Sequence, residues 1–226
     1  MQENVAIVIP VFNEARAIGG VIEEVRALGY EHLIVVDDGS SDATFYIARA
    51  YDVLAIRHKI NRGKGAAVKT GIMVANLLDL DAVVTMDGDG QHDPADIQAL
   101  VQPILDNMTD VVLGSRLLDR EGMPFIKVIA NKVGNFFTWL FYGILVSDSQ
   151  SGYRAYSRYA ALIIDTKADK YEYDSKVIRE IKNNRLRFTE VPVHTRYTEY
   201  SMQKPNKQGL VNGLVTLYRM VWKMIA

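Results

Sequence analysis

Short, almost purely apolar runs alternate along the chain with longer stretches in which apolar residues recur every three or four positions. Val5–Val11, His32–Val36, Val53–Arg57, Ala82–Met86 and Asp110–Leu113 have the length and β-branched content of strands. Glu14–Leu28, Asp42–Ala50, Lys64–Leu78 and Pro94–Asp106 carry the helical period between them. Asn13 and Ser41 stand where N-caps are expected, and Pro94 fits a first helical turn. Near-continuous apolar strands separated by helices predict a mostly parallel sheet covered on both faces.

From residue 125 the pattern changes. Residues 125–146 read as a helix rich in Phe, Trp, Leu and Ile, whose uncharged part, Val133 to Val146, is too short to span a bilayer. A helix over Tyr171–Asn184 and a strand over Arg187–His194 follow, then a basic loop, Arg196–Gln208. A final helix, Leu210–Ile225, sets Leu214, Leu217, Tyr218, Val221, Trp222 and Ile225 on one stripe. No repeat or linker divides the 226 residues, so a single α/β domain is expected.

Composition narrows the chemistry. There is no cysteine, which excludes disulfides, thiolate metal sites and a Cys nucleophile, and suits a reducing interior. No leader peptide and no apolar run of about 18–20 residues is visible. The net charge of -1 hides an asymmetry: residues 1–118 hold 9 Lys+Arg against 17 Asp+Glu, and the remainder 17 against 10. An acidic half suits a cation, and a basic half something anionic.

The polar clusters sit where ligands bind in parallel sheets, just past the strand ends. Pro10-Val11-Phe12-Asn13-Glu14, Asp37-Asp38-Gly39-Ser40, Asn61-Arg62-Gly63-Lys64-Gly65, Asp87-Gly88-Asp89 and Gly114-Ser115-Arg116 each follow a strand. Asp38, Phe12 and Glu14 offer carboxylates and an aromatic ring for a nucleoside. In an extended segment residues i and i+2 share a direction, so Asp87 and Asp89 can face one point and hold Mg2+ or Mn2+. His92 reads as a polar turn residue, with a supporting place behind the metal-binding acids as the alternative. Arg62 and Lys64 are two cations among glycines before a helix N-terminus, as in a phosphate loop, yet the Walker spacing and a G-x-G-x-x-G after the first strand are both missing, against an ATPase or a dinucleotide oxidoreductase. A nucleotide site with a metal at its diphosphate is what remains.

Together with Gln91-His92-Asp93-Pro94, Asp148-Ser149-Gln150-Ser151-Gly152-Tyr153-Arg154 and Glu190-Val191-Pro192-Val193, these motifs resemble family-2 inverting glycosyltransferases, in the dolichyl- or polyprenyl-phosphate sugar synthase branch. The resemblance implies a GT-A fold: a Rossmann-like, mostly parallel sheet with helices on both faces, plus C-terminal amphipathic helices. It implies a nucleotide-sugar-binding half (1–118), an acceptor-binding half (119–208) and an amphipathic C-terminal helix (209–226). The implied reaction is metal-dependent transfer of a sugar from a UDP- or GDP-linked donor to a polyprenyl or dolichyl phosphate, peripheral to the cytoplasmic membrane face.

Residue by residue, the resemblance implies that Pro10, Phe12, Glu14, Asp38, Lys64 and Asp87 bind the nucleotide. Asp87, Asp89 and Gln91 surround the metal and donor phosphates; Asp89, Arg116, Lys127 and Arg196 carry catalysis. Gln91, Arg116, Lys127, Asn131, Arg196 and Lys204 meet the acceptor phosphate. At two of these positions the family usually has Arg and, four residues on, Ser; Lys127 lacks Arg's bidentate fork. Expected partners are the donor, the lipid phosphate, a membrane surface, and a membrane protein or second copy, but no nucleic acid. The alternatives are transfer to a saccharide hydroxyl with Asp174 or Glu172 as base, a sugar-phosphate nucleotidyltransferase, and a non-enzymatic nucleotide-binding partner of a membrane complex.

Overall fold

The computed structural model describes residues 4–119, 125–169 and 172–196. Among the described residues seven strands form one sheet: β1 (Val5–Val11), β2 (His32–Asp37), β3 (Leu54–Arg57), β4 (Ala82–Thr85), β5 (Val111–Ser115), β6 (Arg154–Ser157) and β7 (Phe188–Pro192). Their order across the sheet is β3-β2-β1-β4-β6-β5-β7. All neighbours run parallel except β6, which is antiparallel to both β4 and β5. The mostly parallel α/β sheet expected from the sequence is thus the one observed.

Alternation along β1 explains the two layers. Val5, Ile7, Ile9 and Val11 pack against helices α1 (Ile18–Ala27) and α4 (Ile97–Leu105) on one face. Ala6 and Val8 join α3 (Lys64–Leu77), α6 (Arg158–Ile163) and α7 (Tyr173–Asn183) on the other. All seven β1 residues are buried, and each fully buried Val or Ile contributes about 1.5–3 kcal/mol. The scaffold beneath the strand ends is therefore rigid. The other α-helices of the described residues are α2 (Thr44–Ala50) and α5 (Phe125–Tyr142).

Three local expectations need correcting. Neither Asn13 nor Ser41 caps a helix: α1 starts later, after Ala17, and α2 after Ala43. Instead Asn13, at φ +56°, accepts the backbone N–H of Ser41 at 2.9 Å and ties the end of β1 to that of β2. Second, β6 and α6 were not expected, because Arg154-Ala155-Tyr156-Ser157 is four residues long and interrupts its apolar pattern with arginine. Third, the helix expected over 125–146 stops at Tyr142. Pro94 does open a helical turn, a short 3-10 segment capped by Asp93, whose carboxylate accepts from Ala95 N. The basic loop beyond Arg196 and the expected C-terminal helix lie outside the described residues.

Candidate active site

The chain leaves β4 into the acidic turn. Asp87 donates its backbone N–H to His92 Nδ1 at 3.0 Å, which leaves the imidazole proton for Nε2, 3.9 Å from Asp87 Oδ2. His92 is buried and stacked on Tyr153, with ring centroids 4.5 Å apart. The Tyr153 hydroxyl donates to the Asp93 carbonyl at 2.9 Å. Burial pushes the His92 pKa down, against the pull of Asp87 and Asp89. His92 is thus an internal brace for the acidic turn and no mere turn residue. Asp89 Oδ1 accepts the backbone N–H of Gln91 at 3.0 Å, tightening the same turn.

Lys64, the first residue of α3, brings its ammonium to 2.6 Å from Asp87 Oδ1 and 3.9 Å from Asp174 Oδ2. Burial disfavours the Lys64 charge, but the two carboxylates outweigh it and hold its pKa above the ordinary lysine value. For Asp87, burial alone would raise the pKa; Lys64, then His92, bring it down to about 2. Gly152, in the segment entering β6, makes room: a methyl there would collide with Lys64 Nζ and stand 3.5 Å from Asp87 Oδ1. The carbonyl of Gly152 accepts the Thr85 hydroxyl at 2.8 Å, which fixes this segment against β4.

Arg116, just past β5, grips Asp148 with two parallel bonds, Nε at 2.7 Å and Nη2 at 3.0 Å. Asp148 is buried; burial raises its pKa, but the bonds and charge of Arg116 win and lower it. A bidentate Arg–carboxylate pair fixes the plane of the guanidinium. The support continues through Ser147, whose N–H and hydroxyl both donate to Glu190 Oε1 at 2.8 Å, and whose hydroxyl lies 2.6 Å from Ser115 Oγ. Asn135 of α5 accepts Ser149 N at 2.9 Å. The charge of Arg116 also helps lower the Asp87 pKa.

Asp38 faces inward. Its Oδ1 accepts Arg62 N at 3.0 Å and lies 2.7 Å from His58 Nδ1, and its Oδ2 accepts Gly63 N at 2.6 Å. His58 is held on its other side by Thr70 Oγ1 at 3.0 Å. Asp38 therefore pins the loop that delivers Lys64. At the end of β1, Pro10 is buried while Phe12 and Glu14 are partly open; Glu14 N donates to Thr44 Oγ1 at 2.8 Å.

Arg196 lies over the acidic turn by its backbone, donating to Gln91 O at 2.8 Å beside the His92–Thr195 bridge. Its guanidinium is engaged by Asp93 at 2.8 Å and by Glu24. Asn131 is buried on α5, Lys127 falls in the first turn of that helix, and Lys204 lies outside the described residues. The fold thus gathers Asp87, Asp89, Gln91, Lys64 and the Arg116 loop at one sheet edge. Sequence reasoning used Asp148, Gly152 and Glu190 only as motif residues, with no role of their own, and preferred a turn role for His92. The signal was there: a polar run with one acid and one glycine just ahead of an arginine-interrupted strand.

Among the described residues no group of three or more His, Asp and Glu gathers to hold a metal. Two carboxylates of one turn are, however, the donor set of Mg2+ or Mn2+ that completes its shell with water and phosphate oxygens. The Asp87 carboxylate already attracts a cation, the Lys64 ammonium. The residues fit an ion that is shared with a diphosphate rather than caged by protein.

Residues 6–162 match the family described as Glycosyl transferase family 2. A UDP-N-acetylglucosamine--dolichyl-phosphate N-acetylglucosaminyltransferase of Methanococcus voltae is 35% identical over 95% of this chain and 94% of its own length. A polyprenol monophosphomannose synthase of Mycolicibacterium smegmatis is 28% identical over 88% of this chain and 79% of its own. Glucosyl-3-phosphoglycerate synthase from Mycobacterium tuberculosis, crystallised with Mn2+, UDP and glucosyl-3-phosphoglycerate, shares the fold with TM-score 0.69 at 21% identity, over 95% of this chain and 79% of that one. With the strand-end chemistry and the family match in agreement, the chain belongs to glycosyl transferase family 2 and is a glycosyltransferase.

Proposed function

We propose that the protein transfers a sugar, with inversion, from a UDP- or GDP-sugar to a polyprenyl or dolichyl phosphate. Pro10, Phe12 and Glu14 would receive the nucleoside, on a loop framework that Asp38 holds from behind. Asp87 and Asp89, with Gln91, would hold Mg2+ or Mn2+, which when bound neutralises the departing nucleoside diphosphate. Lys64 and Arg116 would add positive charge beside it, and Lys127, Asn131, Arg196 and Lys204 would serve the acceptor phosphate.

A phosphate oxygen of the acceptor attacks the anomeric carbon. The bond from that carbon to the diphosphate oxygen breaks, and its electron pair leaves with the nucleoside diphosphate. The acceptor is already anionic, so no proton need be removed; positioning and charge stabilisation carry the rate. One observation supports the phosphate acceptor over a sugar hydroxyl. Asp174, a candidate base, sits 3.9 Å from both Lys64 and Arg154, the position of a counter-ion. Glu172 pairs with Lys176 at 3.6 Å, one helical turn on.

Peripheral membrane contact is supported by α5, which is amphipathic in the inverted sense. Its polar Asn131, Asn135 and Thr138 face the protein, while Val133, Phe136, Trp139 and Leu140 are about half exposed. Such a stripe suits a lipid interface. Among the described residues no helix is long and apolar enough to cross a membrane.

The test is turnover on a panel of UDP- and GDP-sugars with Mg2+ or Mn2+, with and without a short polyprenyl phosphate. Release of one nucleoside diphosphate that needs the lipid phosphate and stops with EDTA is expected. Release only with saccharide acceptors would replace this reading with the hydroxyl one.

A further inference from the structure

Lys64 holds one oxygen of Asp87, the carboxylate that would bind the divalent ion in the function proposed above. Its Nζ is 2.6 Å from Asp87 Oδ1, at ion-pair contact. Nothing forces it there by bulk, since its side chain is 28% exposed. The seat is built by subtraction: Gly152 contributes no side chain, and any Cβ there would meet Lys64 Nζ first. A second carboxylate, Asp174, lies 3.9 Å from the same ammonium and can hold it when it leaves Asp87.

We propose that Lys64 is the resident counter-cation of Asp87 in the empty enzyme, and that the divalent ion binds only by displacing it, so metal and nucleoside diphosphate bind cooperatively. The inference rests on Asp87 being a metal ligand, as in the function proposed above. An ammonium and a dication repel each other strongly at a few ångströms in a partly buried site. A diphosphate between them turns that repulsion into two attractions. Metal alone therefore binds weakly, and the diphosphate raises its affinity. By linkage the metal raises diphosphate affinity by the same factor. The device keeps Asp87 paired in the absence of substrate and reserves the metal for the loaded state.

The full chain is titrated with Mn2+ alone and with Mn2+ plus UDP, and in parallel plus GDP, reading free Mn2+ by electron paramagnetic resonance. In the wild type a nucleoside diphosphate should tighten Mn2+ by about tenfold or more, within the range of site–site coupling. Lys64→Met should bind Mn2+ alone about tenfold more tightly, and the further tightening by the diphosphate should shrink by a similar factor, leaving the part due to the phosphate oxygens on the metal. Gly152→Ala keeps the charge but blocks the seat; it should move Mn2+ affinity the same way by a smaller factor.

Wild-type Mn2+ binding in Lys64→Met would overturn the proposal. So would a tightened Lys64→Met beside an unchanged Gly152→Ala, which would make the effect one of overall charge. Asp87→Asn separates this from the underlying reading. If it binds Mn2+ like the wild type, Asp87 is no ligand and both fail. If it loses Mn2+ while Lys64→Met is unchanged, the metal site stands and the place-holder falls. Thermal melts of each variant confirm folding.

Discussion

Asp38 and Asp87 follow β2 and β4, with only β1 between them, yet they are held in opposite ways. Asp38 is 2% exposed and accepts two backbone N–H groups and a histidine of its own chain. Asp87 has a side chain 32% exposed, and its main partner is the movable end of a lysine. The neighbouring glycines repeat the contrast. A Cβ on Gly39, at φ +77°, would meet backbone atoms of Ile60 and Asn61 at 2.8 and 2.9 Å, whereas one on Gly152 meets the tip of Lys64. Two carboxylates at one sheet edge are thus held differently: one is tied to the backbone of the Arg62–Gly63 loop, and the other keeps a partly open side chain paired with a lysine.

That contrast breaks most visibly in turnover. Asp87→Asn should lower the rate by about a hundredfold or more, the scale for losing one preorganised electrostatic partner, while leaving the melting temperature within about 2 °C. Equal loss of stability and rate would erase the distinction.

Asp38→Asn should do the reverse. It removes a charged acceptor from buried donors and turns one amide N–H toward them, costing about 2–4 kcal/mol. Denaturant melts would read this as a lower midpoint with unchanged slope. A stable but inactive Asp38→Asn would mean that this carboxylate also meets the ligand.

The glycines sharpen the comparison further. Gly39→Ala should cost about 2 kcal/mol through its left-handed backbone and the fixed neighbours. Gly152→Ala should cost under about 1 kcal/mol, since a flexible side chain can yield. Similar melting curves would show that both loops are equally rigid.

The smallest effect concerns the strap after β7, which clamps the acidic turn from outside. His194 N and Nδ1 both contact Asp96, at 2.7 and 2.8 Å. The Asp96 hydrogen bond raises the His194 pKa above the ordinary histidine value. A raised pKa stabilises the protonated, folded form below the unfolded value of about 6.5. That contribution is lost as pH rises through the folded value. An NMR titration should give an elevated His194 midpoint that falls in Asp96→Asn, with Asp119 and Asp93 keeping part of the rise; because the ring is largely exposed, the melting temperature should barely move.

The parallel half of the fold was legible because buried strands must be apolar on both faces, and β1, β2 and β4 have the continuous Val/Ile runs that this demands. β6 was hidden because Arg154, 1% exposed, breaks its pattern, and its neighbour Asp174 is distant in sequence. The acidic turn, Lys64 and Arg116 stood out as polar residues after strands. Their supports did not. Asp148 meets Arg116 from 32 residues away, and His92 looks polar but packs as an aromatic. Periodicity reports which side faces the core; it carries no word of which distant partner orients a charge.

The reversed strand has a lasting consequence. Because β6 runs against β4 and β5, the segment that enters it, and not the one that leaves, reaches the strand-end edge. Asp148 and Gly152 arrive there on a span bounded by α5 and β6, separate from the loops of β1, β2 and β4. One span, 143–153, therefore carries a whole wall of the candidate site: it orients Arg116 through Asp148, leaves room for Lys64 at Gly152 and is tied to β4 through Thr85, so a length change there would shift residues borne by three different elements at once.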